Sequence, residues 1–380
     1  MAIACALSVG NMYFVQPLLG NIALSLGVSS QAVSYLPMWT QAGTALGMFS
    51  FVPLGDIFPR RGLIVTMCLS ISLSAILMAL APNLQVASLA AFATGLTAIV
   101  PHLILPFAAK LTSVRDRGQV LGNIMSGLLA GVLLARVFSG LVGEALGWRA
   151  VYWIAAVLMA LLAAWVRLGL PKDMPEGNLG YFDMLRSIVH LTRTQPVLRA
   201  AALTGGLTFG AFCSFWATLI FLLSTPPYHY GARMAGLFGL VGVAGAAVAP
   251  LTGKFTDKRG PATAIAVTIS FTILGWVVFL VAGHWLAGLV VGVILLDLGV
   301  QGCHVANQTR IYPLAPEARS RLNTVYMMTY FIGGSVGSAA GAFAWNRFGW
   351  PGVCIVGLAQ GVAAFSLRGS RKSLRDNSTK

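Results

Sequence analysis

Apolar runs of about 20 residues recur along the whole chain, separated by short polar connections. A run of that length is what a helix needs to cross the hydrocarbon core of a bilayer. The pattern therefore predicts an all-α membrane protein with twelve transmembrane helices. The predicted spans are 2–26, 32–54, 63–81, 85–111, 119–143, 149–170, 198–223, 234–253, 262–282, 286–309, 321–345 and 349–367.

The first apolar run begins almost at Met1. Residues 2–26 lack a basic leading segment and a small-residue cleavage site, so we expect a spanning helix rather than a signal peptide. The sequence leaves open whether the chain starts upstream of Met1.

Composition agrees with the pattern. Hydrophobic residues make up 57% of the chain, and the mean hydropathy is +0.81. Charged residues make up only 9%, against about 25% in soluble domains. The five cysteines lie within apolar runs and form no CxxC pair, so we expect reduced core cysteines rather than a metal site.

Basic residues are distributed unevenly between the two sides of the predicted membrane. Of the 25 Lys and Arg, 21 fall in alternate loops and the C-terminal tail, and Arg149, Arg233 and Arg347 fall in the opposite loops. The last one, Arg136, lies inside a predicted span. Basic residues collect in cytoplasmic loops, so both termini are predicted to be cytoplasmic. This asymmetry explains the net charge of +15 better than nucleic-acid binding does.

The longest connection, residues 171–197, is polar, contains Pro and Gly, and carries both charge signs. It predicts a cytoplasmic linker between two six-helix bundles. Their predicted bounds are 1–170 and 198–368, followed by a cytoplasmic tail at 369–380.

The two halves repeat each other. LGWRAVYWI at 146–154 matches FGWPGVCIV at 348–356, an offset of 202 residues. His102 and His304 have the same offset, and Asp56 and Asp257 differ by 201. Three concordant offsets favour a duplicated transporter architecture with a central site between the halves.

With these features the sequence resembles the major facilitator superfamily over nearly its whole length. The family's loop motif, Gly-x-x-x-Asp-Arg-x-Gly-Arg-Arg, has its spacing kept at Gly253, Asp257 and Gly260. The copy around Asp56 keeps Arg60 and Arg61 but has Val52 and Pro59 at the glycine positions and Ile57 for the first Arg.

One further segment relates the chain to efflux-type members, and a second departs from their pattern. NMYFVQPLL at 11–19 is similar to the start of the bacterial group named after arabinose efflux permeases. The antiporter motif of helix 5 is present only in part, since Gly127 and Gly131 are followed by VLLARVFSG without the motif's proline. The resemblance implies a monomer in the bacterial inner membrane that transports a small molecule.

Two charged residues lie deep inside predicted spans, and a charge in the bilayer interior marks a functional path by default. Asp297 is eleven residues into span 286–309, about 16 Å deep. Gln301, His304 and Gln308 share its helix face, so the stripe must face a cavity or other helices. We interpret Asp297 as a proton carrier; an interhelical hydrogen-bond seam stays the alternative.

Arg136 lies 17 residues into span 119–143 and cannot lose its charge, so it requires an anion or a carboxylate partner. The alternative is a side chain that extends to the membrane surface. Tyr13 and Gln16 lie just before Pro17, on a helix that lines the cavity in the proteins this chain resembles. All three are candidate substrate contacts.

Further candidates are a histidine and three aromatic residues. His102 lies between Pro101 and Pro106, where a broken helix often bends beside a site. His102 and His304 are candidate proton-exchange groups, and a packed core histidine is the alternative for His102. Trp216, Tyr326 and Tyr330 are candidate aromatic walls, and simple packing is the alternative for each.

The resemblance also implies a cytoplasmic gate. In the family, the loop aspartate caps a helix of the other half and holds the cytoplasmic side shut. The residues at the matching positions are Asp56, Arg60, Arg61, Asp257 and Arg259. A closed gate would bring Asp56 near Arg321 at the start of helix 11.

The sequence contains no P-loop, HExxH or nucleophile elbow, so we expect neither an enzyme nor an ATP-driven pump, and no cofactor. We predict a secondary transporter with protons as coupling ion. Efflux of a drug-like compound or a sugar is preferred, and uptake or facilitated diffusion is the competing interpretation. A membrane enzyme and a non-transporting sensor are the alternatives from other classes.

Overall fold

The structure is a computed structural model that describes residues 1–113, 116–172, 180–246, 249–315 and 318–367. These residues form helices and connecting turns, with no β-strand among them. Nine helical segments in the described ranges are long and apolar enough to cross a membrane. The helical membrane fold is thereby confirmed, and the count of twelve spans stays a prediction.

The described ranges contain sixteen α-helices, here numbered in order, and two short 3₁₀ helices. The first nine α-helices are Ala2–Gly10 (α1), Val15–Leu26 (α2), Ser30–Val33 (α3), Leu36–Ser50 (α4), Arg60–Ala79 (α5), Leu84–Thr97 (α6), Val100–Leu111 (α7), Arg117–Ala145 (α8) and Trp148–Gly169 (α9). The others are Tyr181–Thr194 (α10), Pro196–Ser224 (α11), Ala232–Ala246 (α12), Ala249–Arg259 (α13), Pro261–Ala282 (α14), Leu286–Ile311 (α15) and Arg319–Leu367 (α16). The 3₁₀ helices are Pro53–Asp56 and Tyr312–Leu314.

Glycines at the repeated sequence motif adopt the same unusual backbone. Gly147 has φ 84° and Gly349 has φ 65°, and each precedes a tryptophan that begins or resumes a helix. Gly349 is non-helical, so α16 consists of two helices that meet at this residue. The break agrees with the predicted boundary between spans 321–345 and 349–367.

The described chain packs into two compact units. The first contains Met1–Asp183 and Leu219–Leu240, and the second contains Met184–Thr218 and the described residues from Val241 onward. Residues 219–240 group with the first unit because α12 packs closely on α8. A Cβ on Gly140 would lie 2.6 Å from the Ala232 carbonyl oxygen, and Glu144 accepts the backbone N–H of Arg233 at 3.0 Å. Two six-helix bundles over 1–170 and 198–368 remain a prediction.

The predicted linker contains an amphipathic helix, α10. Met184 and Ile188, four residues apart, are buried on one side of it. This helix was not predicted from the sequence, because residues 171–197 are polar overall and the helical spacing of their apolar residues was not evident. Part of the linker, residues 173–179, lies outside the described ranges, as does the tail from 368 onward.

The five cysteines are free and buried, as predicted. They contribute to the cores of the units as small apolar side chains.

Candidate functional site

Small residues bring α8 against α1 in the first unit. A Cβ on Gly127 would lie 2.7 Å from the Ala2 carbonyl oxygen, and a Cβ on Gly131 would overlap the Ala6 backbone. One turn further, a Cβ on Gly10 would lie 3.3 Å from the Cβ of Ala135. Such small-residue contacts let membrane helices approach closely and pack through dispersion forces. They place the residue after Ala135, which is Arg136, beside the end of α1.

The helix that carries Tyr13 and Gln16 is interrupted there. Pro17 has no N–H to donate to the carbonyl of Tyr13 four residues earlier. Hydrogen bonds that span three residues form instead. The Tyr13 N–H donates to the Gly10 carbonyl at 3.0 Å, and the Gln16 N–H donates to the Tyr13 carbonyl at 3.3 Å. The interruption between α1 and α2 thus lies at the residues that the sequence singled out.

Arg136, Gln16 and Tyr13 meet in one cluster. The Arg136 Nε donates to Gln16 Oε1 at 2.8 Å, and the guanidinium lies 4.6 Å from the centre of the Tyr13 ring. Arg136 is 1% exposed, which rules out the alternative of a side chain extending to the membrane surface. The charge-assisted hydrogen bond and the cation–π contact hold a permanent cation in a fixed orientation.

The other side of Arg136 is closed by glycines of α12. A Cβ on Gly236 would lie 2.5 Å from the Arg136 carbonyl oxygen, and one on Gly239 would lie 3.1 Å from the Arg136 Cβ. This packing brings the backbone of α12 against the main chain and Cβ of Arg136 and leaves no room for larger residues at positions 236 and 239.

The second unit contains the predicted polar stripe on α15. The helix is continuous over Leu286–Ile311, so Asp297, Gln301, His304 and Gln308 share one face. Asp297 is 3% exposed, and the other three are half-buried. At the end of the stripe, Gln308 donates to Asn323 on α16 at 3.3 Å.

His304 belongs to an aromatic group. Its Nδ1 and the Tyr326 hydroxyl lie 3.2 Å apart, and its ring centre is 5.1 Å from that of Tyr330. Tyr326 is fully buried, and its hydroxyl would clash with a Cβ on Gly205. Tyr326 therefore positions the His304 ring, with the glycine supplying the space for the hydroxyl.

The aromatic group extends onto α11 through residues that the sequence interpretation missed. Phe209 stacks on Tyr330 with ring centres 3.9 Å apart, and Phe212 lies 5.7 Å from Phe209. Trp216, one of the predicted aromatic walls, has its ring centre 5.9 Å from that of Phe212. The available signal was the spacing of 209, 212 and 216, which places three aromatic rings on one helix face.

His102 lies in the first turn of α7, just after a helix break next to Pro101, whereas Pro106 lies inside α7 without ending it. α6 ends at Thr97 and α7 begins at Val100, with the His102 N–H bonded to the Ile99 carbonyl at 2.9 Å. His304 occupies the repeat-related position but lies inside a continuous helix. The two histidines occupy matching positions of the repeat but differ in backbone conformation, because only His102 is flanked by prolines.

The three predicted gate residues of the first unit have partners within that unit. Asp56 pairs with Arg60 at 3.1 Å, and Arg61 donates to the carbonyl of Leu170, the C-cap of α9, at 3.0 Å. A cation at a helix C-terminus is stabilising. Arg259 is exposed at the end of α13, and the side chain of Asp257 lies outside the described residues. Contact of Asp56 with the start of α16 stays a prediction.

Comparison with known proteins agrees with this architecture. The family model of the Major Facilitator Superfamily matches residues 1–338. The putative uncharacterized transporter YgaY of Escherichia coli K12 is 42% identical over 357 residues, covering 94% of this chain and 91% of that protein. A probable sugar efflux transporter of Helicobacter pylori HPAG1 is 23% identical over 357 residues, covering 91% and 88%.

Among solved structures, a mutant of the nucleoside transporter NupG has a TM-score of 0.76 at 14% identity. The match covers 96% of this chain and 98% of NupG, and at that identity it shows the fold alone. The family match over most of the chain, the bacterial relatives and the helical membrane fold lead to one conclusion. This chain belongs to the Major Facilitator Superfamily and is a transporter.

Proposed function

We propose that this transporter exports a small organic molecule, drug-like or a sugar, from the bacterial cell in exchange for protons. The observation that carries the proposal is the buried carboxyl of Asp297 within a continuous spanning helix. Among the acidic side chains that the structure describes, Asp297 alone is buried. A carboxyl that binds a proton on one side and releases it on the other can couple proton flow to substrate flow.

The Arg136 cluster supplies the substrate anchor in this proposal. A fixed guanidinium held by Gln16 and Tyr13 can donate to a carboxylate or to hydroxyl oxygens of a ligand. The Helicobacter pylori relative is named as a probable sugar efflux transporter, which supports the direction and one of the two substrate types.

The second unit contributes most of the remaining proposed roles. Gln301, Trp216 and Tyr330 form walls for the substrate, and His304, positioned by Tyr326, is a second proton-exchange group with His102. The protein acts as a monomer in the inner membrane. Both termini lie in the cytoplasm in this proposal, which the distribution of basic residues supports.

Asp297→Asn tests the coupling. The amide mimics the protonated carboxyl and cannot cycle, so proton-driven accumulation of substrate in everted vesicles should fail. Exchange of labelled for unlabelled substrate should survive, because exchange needs no net proton movement. The substrate is identified beforehand, by testing transport of a panel of sugars, amphiphilic compounds and small acids by the unmodified protein.

Asp183→Asn is the matched control, since Asp183 is an exposed acid on α10. It should accumulate substrate normally. Accumulation by Asp297→Asn at the control rate would contradict the assignment of Asp297. Equilibration of substrate by the unmodified protein, with no accumulation when a proton gradient is imposed, would favour a facilitated-diffusion carrier instead.

Arg136 is tested in the same vesicles with two substitutions. Arg136→Lys keeps the charge and loses the Nε bond to Gln16, whereas Arg136→Gln loses both. A hydrogen bond to a charged group contributes about 1.5–3 kcal/mol, so we expect the half-saturating substrate concentration to rise roughly 10- to 100-fold in Arg136→Gln. A smaller rise in Arg136→Lys would indicate that the charge itself binds substrate.

A further inference from the structure

The amphipathic helix α10 exposes apolar and basic side chains next to each other on one face. With 3.6 residues per turn, Met184 and Ile188 lie on the buried side and Leu185 beside them. Val189 and Phe182 come next around the helix and are 41% and 81% exposed. The apolar surface of α10 therefore extends past the part covered by protein.

Basic residues border this apolar strip. Arg186 and Arg193 follow Val189 and Phe182 around the helix, and both are exposed. His190 and the acidic Asp183 lie further round, away from the apolar residues. The positive charge thus lies directly beside exposed apolar side chains, and the negative charge is separated from them.

The position of α10 in the chain places the helix near the membrane surface. One residue, Gln195, separates α10 from α11, a helix long and apolar enough to cross a membrane. Arg199 in the first turns of α11 donates to the Thr192 carbonyl at 3.1 Å and fixes the junction. On its buried side, Ser187 accepts a hydrogen bond from Arg321 of α16 at 2.5 Å.

We propose that Phe182, Val189, Arg186 and Arg193 form a docking face for anionic phospholipids at the membrane surface. The two apolar side chains enter the boundary between headgroups and acyl chains, and the two guanidinium groups bind headgroup phosphates. Arginine binds phosphate through paired N–H donors, and anionic headgroups attract basic residues near the surface. Interfacial helices have this combination of an apolar strip and basic flanks.

The test uses the full-length protein in nanodiscs of phosphatidylcholine, with or without phosphatidylglycerol. Val189→Cys is labelled with an environment-sensitive fluorophore, which is selective because the native cysteines are buried. Phosphatidylglycerol should shift the emission to the blue and increase quenching by lipids that carry a quencher at the top of the acyl chain. The same label at His190→Cys, on the polar side of α10, is the matched control and should change little.

Adding Arg186→Gln and Arg193→Gln should lower the ratio of docked to undocked helix roughly 30-fold, given the attraction of a basic residue to an anionic surface. Arg186→Lys with Arg193→Lys should retain most of the docking, and high salt should weaken it in the unmodified helix. Emission that is equal in neutral and anionic nanodiscs, or unchanged by the glutamine pair, would overturn the proposal. None of these readouts depends on which substrate is transported.

Discussion

Asp56 and Arg136 show how the surroundings of a charge decide what its removal would do. The Asp56 side chain is 29% exposed and pairs with Arg60 four residues later on the chain. Partly exposed pairs of this kind contribute about 1 kcal/mol or less to stability. Arg136 is 1% exposed and held by Gln16, so its loss would leave buried polar groups without their hydrogen bonds.

Asp56→Asn should therefore leave the amount and stability of the protein nearly unchanged. If Asp56 also latches the cytoplasmic side, transport should fall several-fold in vesicles that contain equal amounts of protein. Arg60→Gln breaks the same pair from its other end and serves as the control. Equal transport by the two variants would show that only the local pair matters and would count against the latch.

At the scale of elements, close contacts of glycine backbones determine which helices pair. In the first unit, Gly131 of α8 lies against Ala6 of α1. In the second, a Cβ on Gly333 of α16 would overlap Gly206 of α11, and one on Gly337 would overlap Gly210. Positions 131 and 333 differ by the same 202 residues as the repeated sequence motif, so the duplication extends to helix packing.

Gly131→Ala should destabilise the protein, because the added methyl group would overlap the α1 backbone. Overpacking of this kind costs about 1–3 kcal/mol. Gly122→Ala, on the same helix but with nothing within 4 Å of its Cβ position, should be neutral or slightly stabilising. Thermal unfolding in detergent can be followed with a thiol-reactive dye, since the five native cysteines become reactive only on unfolding.

Equal melting temperatures for the two alanine variants would contradict the assigned α1–α8 contact. A lower melting temperature for Gly333→Ala would extend the same conclusion to α11 and α16.

At the scale of the whole molecule, the distribution of basic residues predicts which connections lie on which side of the membrane. Lys172 follows α9, and His284 lies between α14 and α15. Both side chains are exposed, and the two connections are predicted to be cytoplasmic and periplasmic, respectively.

A membrane-impermeant maleimide should label His284→Cys in intact spheroplasts. It should label Lys172→Cys only after permeabilisation, and the buried native cysteines should contribute little background. Labelling of both variants before permeabilisation, or in the reverse order, would show that the predicted orientation is wrong.

Much of the architecture followed from local sequence alone. Apolar runs locate the helices because the bilayer requires a fixed length of apolar chain. The deep charges of Arg136 and Asp297 were visible because the chain around them is apolar. The break before His102 and the kink at Gly349 follow from proline and glycine, whose backbone limits act within a few residues.

Tertiary structure decided what depends on distant parts of the chain. Arg136 lies 120 residues from Gln16, and their hydrogen bond exists because small residues bring α8 against α1. Likewise, the Phe209–Tyr330 stack requires the close approach of α11 and α16, and the grouping of residues 219–240 requires that of α8 and α12. The apolar pattern of a sequence shows which residues avoid water. In a membrane helix, however, the side that faces lipid and the side that faces other helices are both apolar. Only the packed structure distinguishes them, because close packing depends on the shapes of both surfaces.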